Sequence, residues 1–150
     1  MLSSNKAGII PLYFYKTKRN DTVNILFIGD IYGSLGREVT KRYLDEIIKE
    51  YRINFVIANG ENAAHGRGIT EAIYKEFMDM GIQALTMGNH TFDNRDIFNF
   101  IDKAHNLLRP ANMDISVPGK GYEIFTYNDK KIAVISLMGR TFMTPIDCPF

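Results

Sequence analysis

The sequence predicts an α/β fold, a parallel βαβαβ unit followed by a β-hairpin. Three observations carry that prediction. A short apolar run that stops in glycine and a polar side chain occurs three times: Asn24-Ile-Leu-Phe-Ile-Gly-Asp30, Phe55-Val-Ile-Ala-Asn-Gly-Glu-Asn62 and Ala84-Leu-Thr-Met-Gly-Asn-His90. The tips are 31 residues apart from Asp30 to Glu61 and 28 apart from Glu61 to Asn89, about the length of one βαβ unit. Helical periodicity fills the intervals. Strands one crossover apart lie parallel and deliver their polar tips to one edge of the sheet, where open α/β folds place their sites.

Taken in order, residues 1 to 22 differ from the rest of the chain. Ala7 to Tyr15 is apolar but interrupted by Pro11, too short for a signal h-region with small cleavage residues after it. Lys16 to Asp21 is a polar link. A disordered leader is expected here, and Val23, just before the first strand, is an alternative start for the natural chain. The domain is expected over residues 23–150.

Asn24 to Ile28 is a continuous apolar run, as in a strand buried on both faces. A helix is expected next, from about Arg37 to Tyr51, with Val39, Tyr43, Ile47 and Tyr51 at i+4 spacing and Leu44 and Ile48 widening the stripe. The second strand is Phe55 to Ala58. Thr70 is the expected N-cap of a helix over Glu71 to Met80, with Ile73, Phe77 and Met80 inward and Gly81 closing it. A third strand, Ala84 to Met87, leads to Asp93, the expected cap of a third helix from about Asn94 to Ala104. Tyr122 to Tyr127 and Lys131 to Leu137, joined by Asn128-Asp129-Lys130, form the hairpin. Gly139 to Phe150 is loop-like and ends without a closing helix, as though the domain were cut.

At 150 residues the chain is one domain at most. A hydrophobic content of 45%, charged content of 23% and net charge of about +1 give no electrostatic case for a nucleic-acid or membrane surface. A single cysteine, Cys148, excludes an internal disulfide framework and a Cys-rich zinc site, and points to a reducing cytoplasm. Cys148 has no base beside it in sequence and is expected to be small and buried. No run approaches the ~18 apolar residues that span a bilayer.

Asp30, Glu61, Asn62 and Asn89 offer hard oxygen donors, and the imidazole of His90 suits borderline metals. A glutamate can bridge two cations, and two cations about 3.5–4 Å apart form a clamp for phosphoryl chemistry. His90, beside a candidate ligand, could protonate a leaving alkoxide. Each residue alone has a plainer reading: Asp30 as a turn cap, Asn62 and Asn89 as turn residues, His90 as a satisfied core histidine. The threefold recurrence favours the site. Gly29, Gly33 and Gly36 do not make a dinucleotide fingerprint, and no Walker lysine comes after them. Arg67, Arg109 and Arg140 are loop arginines that could reach a phosphate or serve structure.

Gly29-Asp30-Ile-Tyr-Gly33, Ala58-Asn-Gly-Glu-Asn-Ala-Ala64, Met87-Gly-Asn-His90, Arg109-Pro-Ala-Asn112 and Gly139 to Phe150 closely resemble the YmdB-like metallophosphoesterases, from about residue 23 to the last. The resemblance implies a metallophosphoesterase-type β-sandwich flanked by helices (αββα) and hydrolysis of 2′,3′- or 3′,5′-cyclic nucleotides or another small phosphodiester. It implies two divalent metal ions, iron or manganese. Asp30 would bind the first, Glu61 bridge both, and Asn62 and Asn89 bind the second, with His90 as catalytic proton donor. It also implies association, so a homo-oligomer is expected. Family members are longer, and their second half adds metal-binding histidines. Here only His65, His90 and His105 are present, and His65 and His105 match no family ligand position. The chain therefore reads as the N-terminal half of such an enzyme, with one sheet face left bare. The alternative is a catalytically silent half-domain that binds metal weakly or acts only with another subunit.

Overall fold

The structure, a computed structural model, describes residues 22–143 and 145–150. The leader expected over residues 1–22 lies outside the described residues except for Thr22. The elements run β1 (Ile25–Ile28), α1 (Gly33–Tyr51), β2 (Phe55–Asn59), α2 (Glu71–Asp79), β3 (Ala84–Thr86), a 3-10 segment (Arg95–Asn99), β4 (Leu107–Leu108), β5 (Tyr122–Tyr127) and β6 (Lys130–Ile135). Strands β1 to β4 form one parallel sheet in sequence order, with Ile28 beside Ala58 and Asn59 beside Thr86. Strands β5 and β6 pair antiparallel as a separate hairpin.

Alternation along the strands assigns two cores. Leu26, Ile28, Val56, Ala58 and Leu85 join Leu44 of α1 and Phe77 of α2 on one face of the sheet. Phe55, Ala84 and Leu108 join Val134 of the hairpin on the other, with Phe125 and Ile132 packed beside them. Burial on both faces is why the strands read as unbroken apolar runs. Three of the expected αββα layers are therefore present: helices, parallel sheet and hairpin. The face expected to be bare is partly covered, because Phe125 packs on Phe55 with ring centroids 5.2 Å apart. Phe27 on that face stays 45% exposed.

The elements depart from expectation in four places. Helix α1 starts at Gly33 rather than Arg37, and Val39 and Tyr43 are exposed. Its inward line begins with small residues: a Cβ on Gly36 would lie 3.2 Å from Ile31 Cγ2, so close approach and not an apolar stripe seats the first turns. The third helix is only a five-residue 3-10 segment capped by Asn94, whose side chain accepts from the Asp96 N–H. Asp93 is not the cap, because its carboxylate is engaged by His90. Strand β4 has two residues, too few for any periodicity to reveal. Strand β6 begins at Lys130, leaving Asn128 and Asp129 as a two-residue turn with φ of 45° and 63°, the paired positive values of a type I′ turn. Helix α2 matches expectation: Thr70 accepts from the Ile73 N–H, Phe77 is fully buried and Gly81 has φ +85°.

Candidate active site at the strand tips

Parallel pairing sets the carboxyl ends of β1, β2 and β3 side by side, so the residues after them share one edge. The turns are built by backbone bonds between neighbouring tips. The Ile31 N–H donates to Asn59 O, Gly60 N–H to Thr86 O, and Gly33 N–H to Asn62 O. Asp30 lies at φ +46°, a region a non-glycine residue enters only when its surroundings require it. Its carboxylate accepts from Asn62 Nδ2 at 2.7 Å. Helix α1 has no side-chain cap, so Asp30 is not the turn cap that its position allowed.

Glu61 is held from the end of β2 and from the β3 tip. Its Oε2 accepts the His90 backbone N–H at 3.1 Å, and its Oε1 faces Asn59 Nδ2 at 3.5 Å. Gly88 makes this possible: a Cβ there would fall 2.5 Å from Oε2 and 2.6 Å from Cδ of Glu61. The φ of Gly88 is not left-handed, so space and not backbone conformation demands the glycine. Asn89 Nδ2 is 3.1 Å from His90 Nε2, and His90 Nδ1 is 2.7 Å from Asp93 Oδ2. A carboxylate only accepts, so Nδ1 carries the hydrogen and Nε2 is the nitrogen that faces Asn89. The imidazole is about a quarter exposed, which excludes the core-histidine reading.

The five residues expected to act together follow adjacent strands on one edge and fall into two bonded sets, Asp30 with Asn62, and Glu61 with His90 and Asn89. Their oxygens suit a hard divalent cation, and two carboxylates on adjacent tips supply charge. No group of three or more His, Cys, Asp and Glu able to hold a metal occurs among the described residues. Asn59, Gly88 and Asp93 were missed by sequence reasoning. Asn59 lies inside the quoted motif and Asp93 three residues beyond His90, a spacing that puts a carboxylate within reach of the ring. Ser136, also missed, donates from Oγ to Met87 O at 2.7 Å and ties the end of the hairpin to the β3 tip. A cavity of about 290 Å³ opens there, lined by Phe27, Asn59, Glu61, Asn89, Leu137 and Met143 among others.

The other candidates sort plainly. Arg109 is buried, donating from Nη1 to Pro110 O at 2.9 Å, and serves structure. Arg67 and Arg140 lie at the surface, both exposed. His65 is exposed at φ +52° in the loop after Glu61. His105 lies near Glu123 on β5, away from the tips. Cys148 is exposed rather than buried, because the terminal segment runs over the surface, held at Asp147 O by Asn112 Nδ2 at 3.0 Å.

A four-stranded parallel sheet with helices on one face, a hairpin on the other and polar residues gathered at the strand tips is a metallophosphoesterase-like architecture. A family model described as YmdB-like protein matches residues 26–150, and the chain belongs to that family. It is 52% identical over 128 residues to a 2′,3′-cyclic-nucleotide 2′-phosphodiesterase of Bacillus subtilis (strain 168), covering 85% of this chain and 48% of that protein. Its fold matches a crystal structure of a hypothetical protein from Thermus thermophilus with a TM-score of 0.78 at 33% identity, over 83% of this chain and 48% of the other. A crystal structure described as a novel phosphatase from Mycoplasma pneumoniae matches with a TM-score of 0.71 at 36% identity, over 84% and 45%. The chain spans about half the length of the relatives it matches. No helix among the described residues is long and apolar enough to cross a membrane.

Proposed function

We propose that this chain carries the strand-tip half of a metal-dependent phosphodiesterase site for 2′,3′- or 3′,5′-cyclic nucleotides. The observation that carries the reading is the convergence of Asp30, Glu61, Asn62, Asn89 and His90 on one sheet edge. Likeness to the Bacillus subtilis enzyme favours the 2′,3′ ring. Asp30 and Glu61 would hold one divalent cation, and Glu61 with Asn62 and Asn89 a second, iron or manganese. Bound there, such cations supply a nucleophilic hydroxide at neutral pH and neutralise charge on the phosphate.

The chain's own residues have separate tasks. The His90 N–H fixes one Glu61 oxygen, leaving the other side of the carboxylate for a ligand. Asp93 holds the imidazole through Nδ1 and stabilises its protonated form, so that Nε2 donates a proton to the departing ribose oxygen. The single cysteine favours a cytoplasmic setting.

The test is turnover of a cyclic nucleotide by the purified chain with manganese added. His90→Ala should lose roughly 10²–10⁴-fold in turnover while manganese content stays level. Equal turnover in that variant removes His90 from the mechanism.

A second reading rests on the absence of any three-residue His, Cys, Asp and Glu group among the described residues. The chain would then complete its site only with ligands from a second copy or another polypeptide. Turnover that rises with the square of chain concentration, or only on adding a partner, would favour it.

A further inference from the structure

The loop after Glu61 and Asn62 is hung from their carbonyls. Asn62 O accepts from both the Gly33 and the Gly66 N–H, at 2.9 and 3.1 Å, and Glu61 O accepts from the Gly68 N–H. Further bonds from Ala64 N–H to Gly68 O and Arg67 N–H to Ala64 O close it into a compact turn. His65, Gly66 and Gly68 all have positive φ, at 52°, 88° and 69°. The loop therefore holds a fixed position relative to the tips, with His65 exposed and Arg67 close behind it.

Tyr32 lies across this loop. A Cβ on Gly66 would fall 2.5 Å from the Tyr32 hydroxyl oxygen and 2.8 Å from its Cζ, so the phenol end rests directly on the Gly66 backbone. The residue is nevertheless 63% exposed. It stands two residues beyond Asp30, and its neighbour Gly33 is bonded to Asn62. The ring is thus held at its phenol end and open elsewhere, in a loop cluster that joins the Asp30 turn to the Asn62 loop. Neither core cluster includes it.

We propose that Tyr32 is the nucleobase platform of the site: the base of a bound nucleotide stacks on its ring while the phosphate lies at the strand tips. Resting on the phosphodiesterase reading, this assigns the residue that distinguishes a nucleotide from a bare sugar phosphate. Base–aromatic stacking suits the task, because every base has a π-face and the contact costs little ordering when the ring is already held. Gly66 is the residue that lets the ring lie down.

The test compares equilibrium binding of adenosine monophosphate and of ribose 5-phosphate to the full chain with manganese present, by calorimetry. Three proteins are used: unaltered, Tyr32→Ala and Tyr32→Phe. The expected result is a preference for the nucleotide that falls about tenfold in Tyr32→Ala, equivalent to roughly 1.4 kcal/mol, and is kept in Tyr32→Phe. Tyr32→Ala weakening both ligands equally, or neither, overturns the platform, as does Tyr32→Phe behaving like the alanine variant. Hydrolysis of adenosine 2′,3′-cyclic monophosphate is measured on the same samples. Base-selective binding without turnover leaves the platform standing and the hydrolase reading fallen. Turnover with no base preference does the reverse.

Discussion

Gly88→Ala places one methyl group against the Glu61 carboxylate. The added Cβ would stand 2.5 Å from Glu61 Oε2 and 2.6 Å from Cδ, about 1 Å inside ordinary contact. The carboxylate cannot be crossed, so it must retreat by roughly that distance. Its bond from the His90 N–H is 3.1 Å long, and a further ~1 Å breaks it. The change has two costs. Overpacking with loss of a charge-assisted hydrogen bond should cost about 1–3 kcal/mol, and a displacement of about 1 Å in a reacting constellation is worth roughly 100-fold in turnover.

Three readings on the variant separate these effects. Thermal unfolding should drop by roughly 2–4 °C per kcal/mol in a chain of this size. The amide of His90 should lose protection in hydrogen exchange, while amides in β2 and α2 keep theirs. Manganese affinity should fall with Glu61 displaced. A His90 amide unchanged in shift and protection, with stability within about 0.5 kcal/mol of the parent, would mean that Glu61 does not lie against Gly88, and the geometry of the site would be wrong.

Other expectations are more local. Asp93→Asn should lower turnover less than His90→Ala does, because it removes the group that orients the ring and not the ring itself; equal or greater loss contradicts that order. Arg37→Ala removes both the 2.8 Å ion pair to Glu76 and the 2.6 Å bond to Ala63 O, so it should cost about 1–3 kcal/mol and increase proteolysis after Ala63; a normal melting curve would refute it. Bonds from the Glu71 N–H and then from Asn99 hold the Asp96 carboxyl below its usual value, bonds from Ser116 do so for Asp114, and the Lys120 contact does so for Glu123. Depressed values mean that the folded form binds these protons less tightly than the unfolded chain does. Their contribution is full above about pH 4 and is lost as pH falls below it, so denaturant midpoints should decline there; a flat profile down to about pH 3 would contradict the three contacts. Burial raises Tyr74 above the usual phenol value, so its contribution holds below about pH 10 and is lost above it; Tyr74→Phe should blunt that alkaline loss.

The sheet and its edge were legible because their signals are short-range. Ile25 to Ile28, Phe55 to Ala58 and Ala84 to Thr86 are apolar on both faces, and each run leads into a glycine that cannot be mistaken for helix. Thr70 and Gly81 bracket α2 with a cap and a left-handed stop. What escaped depends on neighbours distant in sequence. The first turns of α1 face the core through Gly33 and Gly36, which carry no hydrophobic signal, so the apolar stripe drew attention to Val39 and Tyr43 instead. Asp93 suits a helix cap by composition, but the nearby imidazole claims its carboxylate, and Asn94 caps a much shorter segment. Strand β4 exists only because β3 offers it an edge. At the site, the polar tips were visible as a recurrence. The reason for Gly88 was not, since it lies in a carboxylate 27 positions upstream.

The most direct test is where a paramagnetic divalent cation settles. Manganese titrated into the isotopically labelled chain broadens amide signals near its binding site. The account predicts broadening centred on Asp30, Glu61, Asn62, Asn89 and His90 at low equivalents, weakened many-fold by Glu61→Gln. Broadening spread evenly over the surface carboxylates, or centred on Asp45 and Asp79 of the helices and unaffected by Glu61→Gln, would mean that the strand tips do not form a cation site.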